Sequence, residues 1–332
     1  MKLTVGLGSV DEYIRFSEAG ADEFFCGYVP YSWTQKYDTM MPLNRREVLC
    51  SNVQLGAFSE LEILASMIRD YQRPVHLTFN SLFYLPEQYP EIAKIMKACM
   101  CLGFQSYIIA DPALILYLRE HNIDCEIHLS GETGEVNSRM VDFFQQFSLK
   151  RVIFHRKSSF DDMKAVINAE KSYGGLRAET EFEAFILNEM CQFTGAFCNS
   201  LHCDELGHLC RIPYWLEPLR KSCDGSSFRQ LRPSVPAASS QTDVPNDSDL
   251  PDGYICGATG CGLCALYRLR EIGITHLKLV GRGNYTDFME QDIRMLRQAL
   301  AILETSASEK DFQLNMREQL FPQGCSSHCY YL

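Results

Sequence analysis

The sequence predicts an α/β protein, a (β/α)8 TIM-like barrel with a cysteine-rich insertion after strand seven. Three observations predict it. Short apolar or β-branched runs alternate with helical patterns, which implies parallel strands joined by crossover helices. Eight such runs fit in 332 residues, where a barrel typically takes about 250 plus insertions. No G-x-G-x-x-G follows a strand, and the open doubly wound sheet usually carries one.

The strands in order are 3–7, 23–28, 75–80, 106–110, 126–130, 151–155 and 177–185, with the eighth, 276–280, after a gap. Helix 59–71 repeats Leu61, Ile63, Leu64 and Ile68. Helix 90–101 follows strand three. Helix 112–119 opens on Asp111-Pro112, a cap and first-turn pair. Helices 134–147 and 159–170 follow the same logic, and helix 285–303 starts after Gly283-Asn284. The chain, 1–332, reads as a single barrel domain. The repeat breaks at 187–275, the cysteine-rich insertion. Within it, 222–253 is rich in Ser, Pro, Asp, Gln and Gly and reads as a mobile segment. Connections after barrel strands project from the face that carries chemistry, so the insertion lies over the mouth.

Composition bounds the function. The chain is 46% hydrophobic and 22% charged, with 31 Lys plus Arg against 42 Asp plus Glu and a net charge of -11. That argues against broad, sequence-independent nucleic-acid binding and leaves room for a local basic patch. No apolar run approaches the roughly 18–20 residues of a membrane span. The start, 1–8, is too short and glycine-broken for a secretory signal. The expectation is a cytoplasmic protein with no membrane partner.

Fifteen cysteines stand out. In a reducing compartment a dense set points to metal or catalysis rather than disulfides. Cys26, Cys50, Cys99, Cys101 and Cys125 read as single core residues. Ten more follow residue 190: Cys191, Cys198, Cys203, Cys210, Cys223, Cys256, Cys261, Cys264, Cys325 and Cys329. Thiolate ligation selects zinc or iron–sulfur. Cys261 with Cys264, and Cys325 with Cys329, have zinc-like spacing. Cys191 and Cys198 are wider apart, which iron–sulfur sites accept. Cys256, Cys261 and Cys264 have gaps of four and two, which misses the C-x3-C-x2-C of radical enzymes that cleave S-adenosylmethionine.

Residues 183–191, Glu-Ala-Phe-Ile-Leu-Asn-Glu-Met-Cys, followed by Cys198, resemble the signature of the collagenase-like peptidase family U-32. Residues 271–282, ending Lys278-Leu279-Val280-Gly281-Arg282, resemble its G-[IV]-x-x-[LV]-K-[IL]-x-G-R element, and 151–156 resembles a family strand ending in Arg. Asn188 and Glu189 stand where the signature has Gly and a small residue, and Lys157 where many members carry Glu. The resemblance covers nearly the whole chain. It implies a barrel carrying a four-cysteine [4Fe–4S] cluster. In one branch it implies oxygen-independent hydroxylation of ubiquinone precursors or RNA bases, with prephenate as oxygen source and co-substrate. Cys191, Cys198 and Cys210 match the first three cluster ligands, and Cys261 or Cys256 the fourth, with Cys264 nearby. Cys325 and Cys329 could join the unused thiols in a second metal site. Cys203 has no assigned role.

Polar residues at strand ends face the mouth: Asn80, Asp111, Ser130 with Glu132, His155 with Arg156, Glu181 with Glu183, and Lys278 with Arg282. Arg156 and Arg282 are candidate anion clamps. His155 is a candidate acid or base. Glu183 supports cluster or substrate, or is a structural ion-pair partner. Residues 329–332 fold back on the cysteine region or form a docking end. The leading expectation is an iron–sulfur hydroxylase or related redox enzyme acting on a small molecule or an RNA base, served by an electron donor or protein partner. The alternatives are a U-32-type peptidase or peptide-modifying protein, and a non-catalytic cluster-binding subunit of a larger complex.

Overall fold

The computed structural model describes residues 1–38, 41–45, 53–133, 137–172, 180–191 and 254–331. Each strand alternates inward and outward residues, and each needs cover on its outer face. Helices after the strands supply it. Eight parallel strands close into one barrel in chain order: β1 Lys2–Gly6, β2 Glu23–Gly27, β3 Val75–Phe79, β4 Ser106–Ile109, β5 Glu126–Leu129, β6 Leu149–Ile153, β7 Glu181–Leu187 and β8 His276–Leu279. Pairing of Lys2 with His276 and Val5 with Leu279 closes the ring.

The helices are α1 Glu12–Ala19, α2 Tyr31–Tyr37, α3 Phe58–Tyr71, α4 Tyr89–Cys101, α5 Pro112–Glu120, α6 Ser138–Gln145, α7 Phe160–Ser172, α8 Leu266–Ile272, α9 Thr286–Thr305 and α10 Glu309–Leu320. Local chemistry sets several starts. Asp111 accepts from the Ala113 amide at 2.9 Å, with Pro112 next. Asn137 accepts from the Arg139 and Met140 amides. The Glu60 carboxylate reaches back to the Gly56 and Ala57 amides. Outward strand residues such as Leu3, Val5, Phe24, Leu77 and Ile127 pack under the helices with Phe16, Leu61, Leu64 and Leu296. Each such fully buried side chain contributes about 1.5–3 kcal/mol.

The sequence reading differs from this in places. Strand seven runs Glu181–Leu187, so Glu181 opens it and Glu183 lies inside it, and neither sits at its C-terminal end. Helices α2 and α10 are additional. Cys26, Cys99 and Cys125 are buried core residues, but Cys101 is exposed on α4. Cys50, residues 222–253, and Cys198, Cys203, Cys210 and Cys223 lie outside the described residues.

The barrel interior is layered. Nearest the strand starts, Arg151 donates to Glu23, Glu181 and Glu183, each at 2.7 Å. Lys278 reaches the other oxygen of Glu183 at 2.7 Å. His76 and His276 flank Glu23 at 3.1 and 3.3 Å, and the His76 and His128 rings lie 4.4 Å apart. Burial pushes the Glu183 carboxyl up, but Lys278 and Arg151 outweigh it and leave its pKa at about 2. His128, pressed by burial and then by His76 and Arg151, falls well below its ordinary value. One inward step further, Phe25, Ile108, Ile153, Phe185 and Val280 form an apolar layer. It divides the charged layer from the mouth.

Candidate active site at the barrel mouth

The apolar layer is the floor of the mouth, and two guanidinium groups rest on it. Arg156, just past β6, lies 4.0 Å from the centre of the Phe185 ring. Arg282, past β8, lies 5.6 Å from that of Phe25. Such stacking steers a guanidinium while leaving its N–H edges for ligands. Arg282 donates to Gln54 at 3.0 Å and lies 3.5 Å from Thr78 Oγ1. Two glycines admit these groups. A Cβ on Gly6 would stand 2.8 Å from Arg282 Cγ, and one on Gly27 only 1.6 Å from Gln54 Oε1.

Around the rim, Arg45 pairs with Glu132 at 3.5 Å, and its amide donates to Asn80 at 3.1 Å. His155 is 3% exposed, and its Nδ1 accepts from the Lys157 amide at 3.1 Å. That bond leaves Nε2 as the N–H donor. Burial first, then the cations Arg156, Lys157 and Arg45, outweigh Glu132 and bring the His155 pKa down to about 4. It is therefore neutral at pH 7. For Arg156, burial opposes the charge while Tyr330, Glu132, Glu189 and Cys191 favour it, and the net direction is upward.

The segment 325–331 reaches the same floor. The Cys261 amide donates to the His328 carbonyl at 2.7 Å, and the Tyr330 amide to that of Cys261 at 2.8 Å. Tyr330 packs against the apolar layer, and Tyr331 donates to the Phe185 carbonyl at 2.7 Å. Two enclosed atoms result at the mouth, His155 Nε2 and Arg156 Nε, with no hydrogen-bond partner among the described residues, and Tyr330 Oη lies against Arg156.

The chain leaves β7 through a register shift between Phe185 and Leu187, then two left-handed residues, Asn188 (φ 68°) and Glu189 (φ 51°). Asn tolerates that conformation better than most side chains. Here its amide also donates to Asp292 at 2.7 Å. Cys191 emerges next, near Arg156. Cys256 is buried and hydrogen-bonded to Asp292. Cys261 and Cys264 face Cys325 and Cys329, and Cys261 also lies near Cys256 and Tyr330.

Of the residues expected at the mouth, the structure brings together His155, Arg156, Arg282, Asn80 and Glu132. Glu181, Glu183 and Lys278 belong to the charged layer beneath the floor. Asp111 caps α5 and accepts from Tyr84 and Tyr89. Arg45 and Gln54 were missed; for Tyr330 the fold-back of 329–332 on the cysteine region is borne out, and its place on the floor was missed. Arg45 and Gln54 follow β2 outside any helical pattern, and Tyr330 arrives from far along the chain. The adjacent tyrosines 330 and 331 were the one available signal.

The model of peptidase family U32 matches residues 8–332. This chain belongs to peptidase family U32. The chain is also similar to tRNA hydroxylation protein P of Escherichia coli (strain K12), 22% identical over 340 residues, covering 91% of this chain and 67% of that protein's length. tRNA hydroxylation protein P1 of Bacillus subtilis (strain 168) is 22% identical over 259 residues, covering 76% of this chain and 55% of its own length. A solved structure of a U32 peptidase is 13% identical, covering 56% of this chain and 69% of that one, with a TM-score of 0.41. No helix among the described residues is long and apolar enough to cross a membrane.

Proposed function

We propose that this chain is an iron–sulfur U32 enzyme that hydroxylates a base of transfer RNA without molecular oxygen. The observation that carries this reading is the pair of unpartnered donors at the mouth, His155 Nε2 and Arg156 Nε, beside Cys191. A buried polar group without a partner costs about 1–3 kcal/mol. A ligand rich in oxygen acceptors removes that cost at both. The apolar floor with Arg156 and Arg282 on it suits an anion carrying a ring, and a dicarboxylate such as prephenate has both parts. Arg156 and Arg282 on the floor, with Arg45 and Lys157 near them, give a local positive site on an acidic chain, which suits an anionic group. The names of the E. coli and B. subtilis relatives support transfer RNA as substrate.

The thiols that would hold such a cluster are Cys191, at the mouth, with Cys198, Cys210 and either Cys256 or Cys261, and thiolates are the ligands iron–sulfur clusters take. When bound, a [4Fe–4S] cluster supplies electron transfer beside the substrate. The chain's own residues do the rest. Arg156 and Arg282 hold the anion. Neutral His155 donates from Nε2 and can receive a proton there once that hydrogen is passed on. Tyr330 and the phenylalanine floor exclude water.

The test is anaerobic purification, iron counting, and incubation with transfer RNA lacking the modification, prephenate and a reductant. Mass spectrometry should show one added oxygen on a base, lost in Cys191→Ser and Arg156→Ala. Protein that takes up no iron on anaerobic reconstitution overturns the cluster. Unchanged RNA together with peptide cleavage overturns hydroxylation in favour of a peptidase. Unchanged RNA with tight retention of a second protein favours the non-catalytic subunit.

A further inference from the structure

The barrel holds a second cavity at the end opposite the mouth. It opens among the strand starts and has a free volume of about 260 Å³. An engineered cavity of about 150 Å³ takes a benzene ring, so a ligand of about ten non-hydrogen atoms fits here. Its wall includes Glu23, His76, Ser106, His128 and Arg151, from the neighbouring strands β2 to β6, with Phe104 and Ile68 as apolar cover. The apolar layer around Phe25 and Phe185 stands between this cavity and the mouth. A ligand here is therefore kept from the residues proposed for hydroxylation.

Most polar groups of the cavity are already engaged. Arg151 is held by Glu23, Glu181 and Glu183. His76 turns Nδ1 to Ser106 Oγ and Nε2 to Glu23. Three other groups keep binding capacity. His128 is 1% exposed, and its Nδ1 has no hydrogen-bond partner among the described residues. Its ring is neutral at pH 7 and so offers one N–H and one lone pair. Glu126, exposed at the first position of β5, makes no ion pair among the described residues. Lys150 Nζ stands 3.8 Å from Glu181 Oε1, too long for a hydrogen bond. Glu126 and Lys150 line the cavity near the starts of adjacent strands, β5 and β6. The entrance thus carries a spare carboxylate and a spare ammonium.

Those two charges select the ligand. A simple anion would be repelled by Glu126 and a simple cation by Lys150, whereas a zwitterion satisfies both. We propose that this cavity binds a free α-amino acid with a short polar side chain. The ligand's ammonium faces Glu126 and its carboxylate faces Lys150. Its methylene stem lies along Phe104 and Ile68, and its polar end reaches His128 Nδ1. Binding gives that buried nitrogen the hydrogen bond the chain does not supply. L-Glutamine is of fitting size, and its side-chain amide both donates and accepts, so it suits either tautomer of His128. No covalent bond forms or breaks. The site is independent of the cluster and of the transfer-RNA reading.

The test is calorimetry on the whole chain with L-glutamine as probe, for which a dissociation constant below about 1 mM is expected. Glutaramate, which lacks the amine, and 4-aminobutanamide, which lacks the carboxylate, should bind at least tenfold more weakly. Glu126→Gln and Lys150→Met should each weaken glutamine at least tenfold and leave thermal unfolding of the free protein unchanged. His128 is too deep to replace without risk to the fold, so its ring-nitrogen resonances are followed in the wild type, and glutamine should shift them. Absence of heat with L-glutamine, L-asparagine and L-serine overturns the proposal. Equal binding of glutaramate or 4-aminobutanamide overturns it as well, because the site would then take a simple ion. Glutamine binding that neither variant weakens and that leaves the His128 resonances in place puts the amino acid elsewhere and also overturns it.

Discussion

Glu183 was expected at the reaction centre, and its surroundings predict a different consequence when it is changed. Glu183→Gln keeps the shape and removes the charge. The residue is 0% exposed, with Lys278 and Arg151 each at 2.7 Å. Arg151 retains Glu23 and Glu181, but Lys278 loses its carboxylate. Removing one partner of a buried pair costs about 3–5 kcal/mol. The pKa gives a second route: a fall from 4.5 to about 2 corresponds to about 3 kcal/mol. The two agree. A lowered carboxylate pKa stabilises the fold above pH 4.5, and that stabilisation is lost as the pH falls through about 2. The gap between wild type and variant should therefore be full at pH 7 and close below pH 4.5. Urea unfolding followed by fluorescence of buried Trp33 measures it. Glu183→Leu/Lys278→Met should recover most of the loss, since apolar replacement of a whole buried pair is often neutral. If Glu183→Gln stayed within about 0.5 kcal/mol of wild type at pH 7, the structural role would be refuted. Loss of hydroxylation at intact stability would return Glu183 to the chemistry.

Gly27→Ala should expel Gln54 from its place against Arg282, because the new Cβ would lie 1.6 Å from Gln54 Oε1. The expected result is a stability loss of about 1–3 kcal/mol and at least tenfold weaker prephenate binding by calorimetry; unaltered binding would show that Gln54 does not position Arg282. In acid, the burial-lowered pKa values of His155 and His128 make stability fall between pH 6.5 and about 4, as the unfolded chain takes up protons the folded chain refuses. For His155 alone that is about 3 kcal/mol. Imidazole resonances should show His155 neutral at pH 5.5, and a protonated ring there would contradict its enclosure.

The barrel was legible because its signal is periodic and local. Seven of the eight strand positions stand close to their expected places, and Asp111-Pro112 marked a helix start by chemistry that acts over two residues. Strand seven was drawn too early, 177–185 against Glu181–Leu187, so Glu181 and Glu183 were read as lying at its C-terminal end. Nothing in the run itself says that Arg151 and Lys278, from neighbouring strands, neutralise them. Helix α10 was missed because it is highly charged and buries little beyond Phe312 and Met316. At the mouth, His155, Arg156 and Arg282 were readable from their places just after strands. Gln54 and Tyr330 were not, since what brings them there is space left by Gly27 and a pairing across the chain between Cys261 and Cys329.

The chain departs from the barrel and returns to it at one stitched point. The Asn188 amide bonds to the Gly260 carbonyl and the Met190 amide to that of Thr259, both at 2.8 Å. Whatever lies between 191 and 254 is thus closed off at its base. The entropy of closing a connection grows only with the logarithm of its length, about 0.6 kcal/mol for each doubling. The stretch can therefore lengthen, shorten or be exchanged among relatives with little penalty to the barrel.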